Sequence, residues 1–259
     1  MHPILFVIAG KPIYTYGLMA ALGFVAAILT WTWLCRRLGH PAEIASDLAC
    51  WLMLSGLLGA RIAYVVANLP FYLANPAEIV RIDHGGLIFY GGFLLASLAL
   101  VLFARRRRWP LWDAADFAIP GLAIGHAFGR IGCFLKGCCH GAPATAFPSL
   151  GVCYPPSSET GQLFPGVPLY PVQPAEAAGL LVIWFLLLRA LLRPHRPGTV
   201  FARYLLLYPP LRFVLEWFRG DPRLAAGPLD TAQLLSVAFF VAGLLLLAFL
   251  PPRAPAEKP

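Results

Sequence analysis

GHAFGRIGCFLKGCCHG, residues 125–141, is the stretch on which the reading of the chain turns. It starts inside an uncharged apolar segment, sets Arg130 within it, and leaves through a lysine, glycines and thiols. A charged side chain at membrane depth costs about 2.5–3.5 kcal/mol on insertion scales, so such an arginine faces a polar interior or a ligand. Composition puts the whole chain in that setting. Of 259 residues, 59% are hydrophobic and 12% charged, and mean hydropathy is +0.71. A soluble domain carries about 25% charged residues. The expected class is all-α, a polytopic membrane helix bundle in contact with the lipid bilayer.

Working outward, apolar runs long enough for a ~30 Å hydrocarbon core predict about seven transmembrane helices. They cover 12–35, about 48–69, about 87–103, about 115–134, about 174–192, about 199–217 and 231–250. In the sixth, Pro209-Pro210 predicts a break, and Arg203, Arg212 and Glu216 add charge. Residues 1–250 read as a single integral-membrane domain, because no polar linker divides them, and 251–259 as a disordered cytoplasmic tail. No signal-peptide pattern precedes the first run, so it is expected to stay in the mature protein. With the N-terminus outside and the C-terminus cytoplasmic, eleven basic residues fall on the cytoplasmic side and five outside, as the positive-inside rule requires. The net charge of +8 is then topology rather than nucleic-acid binding. The loops 70–86, 135–172 and 217–230 face outward, and the functional surface with them. No internal repeat is evident, which counts against an inverted-repeat transporter.

Arg61, Arg130 and Arg212 lie well inside the spans, with Glu176 and Glu216 as the acids at similar depth. One reading is buried ion pairs, since Arg212 and Glu216 stand four apart on one helix face. The other is a pocket for an anionic headgroup, because the planar guanidinium fork binds phosphate oxygens in pairs. The apparent excess of cations favours a bound anion. Residues 84–92, HGGLIFYGG, bring Gly91 and Gly92 beside Tyr90; the glycines serve either close helix packing or backbone approach to a ligand. In LYPVQPAEA, residues 169–177, Gln173 is a candidate for hydrogen bonding at a helix entry. Cys138, Cys139 and Cys153 are disulfide candidates, since thiols outside the cytoplasm are oxidised. No metal site is expected, because C-x4-C-C-H is not a standard ligand spacing, and no cofactor is implied.

These stretches together resemble a known family. YGLMAALGF (16–24), GARIAYV (59–65), GGLIFYGG (85–92), GRIGCFLKGCCHG (129–141), YPVQPAEA (170–177), LRFVLEWFRGDPR (211–223) and AQLLS (232–236) match, in order and spacing, the prolipoprotein diacylglyceryl transferase family. The resemblance implies a monomeric enzyme of the bacterial inner membrane whose site opens on the periplasmic side. It implies phosphatidylglycerol as donor and the lipobox cysteine of prolipoprotein signal peptides as acceptor, in the first step of lipoprotein maturation. It further implies catalytic roles for Arg130, Arg212, Glu216, Tyr90 and Tyr16. Substrate-binding roles are implied for Arg61, Gly91, Gly92, Gly129, Gly132, Cys133, Gly141 and Gln173. The chain departs from the family pattern at Tyr90, where a histidine is usual, at Cys133, where asparagine is usual, and at Cys138, often acidic.

Overall fold

In a computed structural model, residues 3–8, 11–81, 85–221, 225–226 and 229–250 are described. His84 and the expected tail 251–259 lie outside them. Two compact units make up the chain: Met1–Trp31 with Asp116–Pro259, and Thr32–Ala115. Helices dominate, and the order is α1 (Thr15–Leu38), α2 (Glu43–Ala67), α3 (Leu69–Ala74), α4 (Phe89–Arg106), α5 (Leu111–Lys136), α6 (Glu159–Leu163), α7 (Val172–Leu191), α8 (Thr199–Glu216) and α9 (Thr231–Phe249).

Among the described residues, α1, α2, α4, α5, α7 and α9 are long and apolar enough to cross a membrane. Their exposed faces carry Leu29, Leu54, Leu94, Val182 and Leu245, the pattern of helices surrounded by lipid rather than water. The protein is thus a mostly helical, multi-pass membrane protein. The expectation of a purely α chain needs one correction. Strand β1 (Ile4–Ile8) pairs antiparallel with β2 (Lys11–Tyr14), and a second short pair, Ala225–Ala226 with Leu229–Asp230, precedes α9. The run Ile4-Leu5-Phe6-Val7-Ile8 is β-branched and aromatic, which suits a pleated strand. So the first apolar helix starts at Thr15, not at residue 12.

A second correction concerns α8, which runs unbroken through Pro209 and Pro210. Each proline removes one backbone donor, so two carbonyls a turn earlier lose their helical partners while the helix continues. Helix α9 starts where a capping box forms: Gln233 N donates to Asp230 Oδ1 at 2.9 Å, and Asp230 N to Gln233 Oε1 at 3.3 Å. Two orphan N–H groups are satisfied reciprocally there.

In the second unit α2 packs on α4 through glycines. A Cβ on Gly91 would meet Gly59 O and Ala63 Cβ, and one on Gly92 would lie 2.8 Å from Gly56 O. Helix packing therefore accounts for both glycines. Arg61, on α2 and buried, has all five N–H donors engaged by carbonyls. Nε donates to Ile79 O (2.9 Å), Nη1 to Gly85 O (2.8 Å) and Gly86 O (3.0 Å), and Nη2 to Glu78 O (2.6 Å) and Arg81 O (2.9 Å). Its guanidinium also lies over the rings of Tyr72 and Tyr64, at 5.3 and 5.8 Å. The headgroup role expected of Arg61 gives way to a structural one: it is the anchor of the loop between α2 and α4, with no donor left over.

In the first unit, Asp116 on α5 is fully buried and accepts hydrogen bonds from Gly198 N and Phe201 N, both at 2.7 Å. It caps the start of α8 from another helix, where orphan N–H groups and the helix dipole favour an anion. Asp116 is thus a further buried acid, near the start of α5, to which the sequence reading gave no role.

Candidate functional site

The site grows from four-residue spacings on two helices. On α5, His126 and Arg130 stand one turn apart, with Cys133 a further turn on; on α8, Tyr204, Tyr208, Arg212 and Glu216 repeat every four residues. Such spacing puts neighbours on one helix face. Helix α7 supplies what they converge on. Glu176, in the second turn of α7 and 2% exposed, is approached by Arg130 Nε at 3.0 Å and Tyr208 OH at 3.0 Å on Oε1. His126 Nε2 lies 3.9 Å from the same oxygen, and Arg212 Nη1 4.0 Å from Oε2. Arg212 also pairs with Glu216. The His126 ring meets Tyr208 edge to face at 5.1 Å, and Tyr208 stacks on Tyr204 at 5.5 Å.

Among the described residues, two arginines thus face two glutamates at this cluster. Arg219, further along the chain, is forked onto Asp221 by bonds of 3.1 and 2.9 Å. What distinguishes Arg130 and Arg212 is how little the protein holds them. Neither guanidinium donates a hydrogen bond to a described residue. The contact of Arg130 with Glu176 is an ion pair off the N–H direction, and both side chains keep some exposure, 16% and 13%. A buried carboxylate holds the two charges, while most of their directional donors remain available to an anion.

The other predicted residues are divided between the two units. Gly132 lets α1 close on α5: a Cβ there would come within 3.1 Å of Tyr16 Cδ2 and Met19 Cβ, whereas one on Gly129 would meet nothing within 4 Å. Tyr16 is half-exposed, with Lys136 Nζ 6.0 Å from its ring centre. Gly141 is a crossing point. A Cβ there would strike Tyr170 O and Phe218 O. Around it Ala142 N donates to Phe218 O (2.8 Å), Tyr170 N to Ala142 O (3.0 Å) and Gly220 N to His140 O (3.1 Å). Gln173 is buried and binds inward, Nε2 donating to Cys138 O at 2.8 Å while the Tyr154 hydroxyl sits beside its amide, 2.9 Å from Nε2. It positions the loop rather than facing a ligand. Tyr90, Gly91, Gly92 and Arg61 belong to the second unit, and Tyr90 is exposed there, edge to face with Phe89.

All six cysteines are free, so the expected bridge from Cys153 to Cys138 or Cys139 is not formed. The exposed Cys153 thiol points to Gly166 O at 3.6 Å, while Cys138 and Cys139 turn toward Cys133. The Cys138 thiol donates to Cys133 O at 3.7 Å; the nearby thiols of Cys133 and Cys138, helped by Arg219 and Arg130, hold the Cys139 thiol well below the usual thiol range, and the same neighbourhood with burial pushes Cys138 up.

The sequence reading placed Glu176 at membrane depth without making it the hub, and gave Tyr208 and His126 no place beside it. Their signal was present: a lone acid in an apolar helix, and the spacings 208–212–216 and 126–130.

A family model described as prolipoprotein diacylglyceryl transferase matches residues 3–249. The chain belongs to that family. Among its relatives, a phosphatidylglycerol--prolipoprotein diacylglyceryl transferase of Clostridium perfringens is 33% identical over 252 residues, 95% of this chain and 94% of the relative. Its namesake in Clostridium tetani is 30% identical over 246 residues, covering 95% and 96%. One from Bacillus cereus is 32% identical over 247 residues, covering 95% and 91%. The prolipoprotein diacylglyceryl transferase match extends over residues of both units.

Proposed function

We propose that this transferase moves the diacylglyceryl group of phosphatidylglycerol onto the lipobox cysteine of a prolipoprotein. The acceptor sulfur bonds to the glycerol carbon that carries the phosphate. The C–O bond to phosphate breaks, glycerol phosphate leaves, and the thiol proton passes to a base. One observation carries the reading beyond family membership: Arg130 and Arg212 are held by a buried carboxylate yet make no hydrogen bond to a described residue. As the C–O bond breaks, the phosphate goes from a singly to a doubly charged group, and fixed guanidinium donors act on that change. Glu176 and Glu216 aim the arginines, and Tyr208 aims Glu176. Among the described imidazoles, His126 is the one within this cluster, 3.9 Å from Glu176, and is the best-situated of them to receive the proton. His140 is turned to Gly141 O instead.

In this reading α8 is the seventh crossing, the N-terminus lies outside, and the site opens on the periplasmic side of the bacterial inner membrane. The enzyme works there as a monomer with residues 1–250 acting as one domain. Basic residues in the last turns of α1 and α4 support that orientation. The test is incubation of the detergent-purified protein with labelled phosphatidylglycerol and a lipobox peptide. Thioether product that vanishes in Arg130→Ala supports the reading. Folded protein that binds the lipid but yields no product rejects transfer in favour of lipid binding alone.

A further inference from the structure

The thiols beside the arginine cluster are gathered by the way α5 ends. Gly137, at φ +77°, closes the helix: Cys138 N bonds to Cys133 O at 3.1 Å and Gly137 N to Phe134 O at 3.1 Å. This paired closure folds the chain back over the last turn and sets Cys138 above Cys133. Cys139 then adopts φ +58°, in the left-handed region that a non-glycine residue rarely occupies, and its sulfur joins the other two. All three Sγ atoms lie within 4.8 Å of one another, half-buried. The loop that carries them is pinned from outside, Cys138 O by Gln173 Nε2 at 2.8 Å and Gly137 O by Thr160 Oγ1 at 2.7 Å.

A d10 cation bound by thiolates has metal–sulfur bonds of about 2.3 Å, so three sulfurs around it stand roughly 3.8–4.0 Å apart. The observed span needs only a small contraction to reach that figure. The charge also suits. Three thiolates leave a negative complex around a mono- or divalent ion, and Arg130 stands one turn before Cys133 on the same helix. A disulfide within the trio leaves one thiol unused and, between neighbours 138 and 139, closes a strained ring; a soft cation uses all three. The imidazole of His140 is not part of the set, since its Nδ1 faces Gly141 O at 3.0 Å and its ring packs on Phe164.

We propose that Cys133, Cys138 and Cys139 form a three-thiolate site for a thiophilic d10 cation, Zn2+ with a fourth position open or Cu+ in trigonal coordination. The bound ion ties the last turn of α5, which follows directly from Arg130, to the loop at Gly137–His140.

The test uses the full-length protein in detergent, reduced, stripped with chelator and shown to be folded by circular dichroism. Titration with Co2+ reads thiolate coordination by its near-ultraviolet charge-transfer and visible d–d bands; added Zn2+ displaces it. Cu+ is offered separately in competition with a chromogenic chelator. One equivalent of one ion per chain is expected. Cys138→Ser and Cys139→Ser should each weaken it by more than the ~100-fold typical of changes outside the ligand shell. Cys35→Ser, Cys50→Ser and Cys153→Ser should leave it intact. Absence of stoichiometric binding by the folded, reduced protein overturns the proposal. So does binding that survives Cys138→Ser with Cys139→Ser, or a disulfide among the three in freshly isolated protein by mass spectrometry of alkylated peptides.

Discussion

Arg61 and Arg130 are both arginines in apolar helices, yet the protein treats them in opposite ways. Arg61 donates five hydrogen bonds to carbonyls of one loop. Arg130 has a carboxylate 3.0 Å from Nε and no hydrogen bond to a described residue. Depth in the membrane therefore does not separate a functional arginine from a structural one; the accounting of its donors does. Where the backbone takes every N–H, the guanidinium is part of the fold. Where only a counter-ion steadies it, the donors face outward to chemistry.

Removing Arg61 should have the largest effect of all on the folded state. Arg61→Ala leaves five carbonyls without a donor, at about 1 kcal/mol or more each where buried. The expected outcome is a loss near 5 kcal/mol, seen as collapsed yield and thermal stability in detergent. Lysine, with three donors, should restore only part of it. Arg130→Ala should cost less stability, up to about 3 kcal/mol as buried Glu176 loses its nearest cation, and should instead lower turnover by about 10²–10³-fold, as when one preorganised donor to a developing charge is lost. Should Arg130→Ala melt the protein and Arg61→Ala spare it, the contrast is wrong.

Glu176→Gln sharpens the same point. It leaves two buried cations without their shared anion, which costs about 3 kcal/mol. Phosphatidylglycerol should restore more thermal stability to this variant than to wild type, because the headgroup takes over the carboxylate's task. An equal shift in both would mean that the headgroup does not bind at these arginines.

Smaller effects separate the glycines. Gly91→Ala drives a methyl into Gly59 O and Ala63. Overpacking costs about 1–3 kcal/mol and outweighs the ~1 kcal/mol that alanine gains over glycine in a helix. Gly129→Ala meets nothing within 4 Å and should hold or slightly raise stability. A fall in its turnover, measured at unchanged melting temperature, then reports space beside Arg130 that the substrate uses.

What was legible in the sequence follows from how local each signal is. A span needs only a long apolar run, so α1, α2, α4, α5, α7 and α9 fall close to their predicted ranges. The Arg212–Glu216 pair was legible for the same reason, being one turn apart on a single helix. The role of Arg61 was not, because its acceptors are backbone carbonyls, which any residue at 78–86 provides. Asp116 was missed likewise: its partners are the N–H groups of Gly198 and Phe201, some 80 positions away. The cysteines misled, since pairing rules count thiols and take no account of a helix end that turns Cys138 and Cys139 back toward Cys133.

The crossing at Gly141 has a consequence for synthesis. Its partners are Tyr170 and the Phe218–Gly220 segment, and the latter is made almost 80 residues after Gly141 itself. At about 5–20 residues per second that is a delay of several seconds to some fifteen. For the first 35 residues of this interval Glu176 is still to be made; from then on Arg130 has its carboxylate, since α7 is complete before α8 begins. Arg212 then arrives with Glu216 four residues behind it. Arg212 thus enters with its counter-charge next to emerge, whereas Arg130 precedes Glu176 by 46 residues, a wait of about 2–9 s at the same rate.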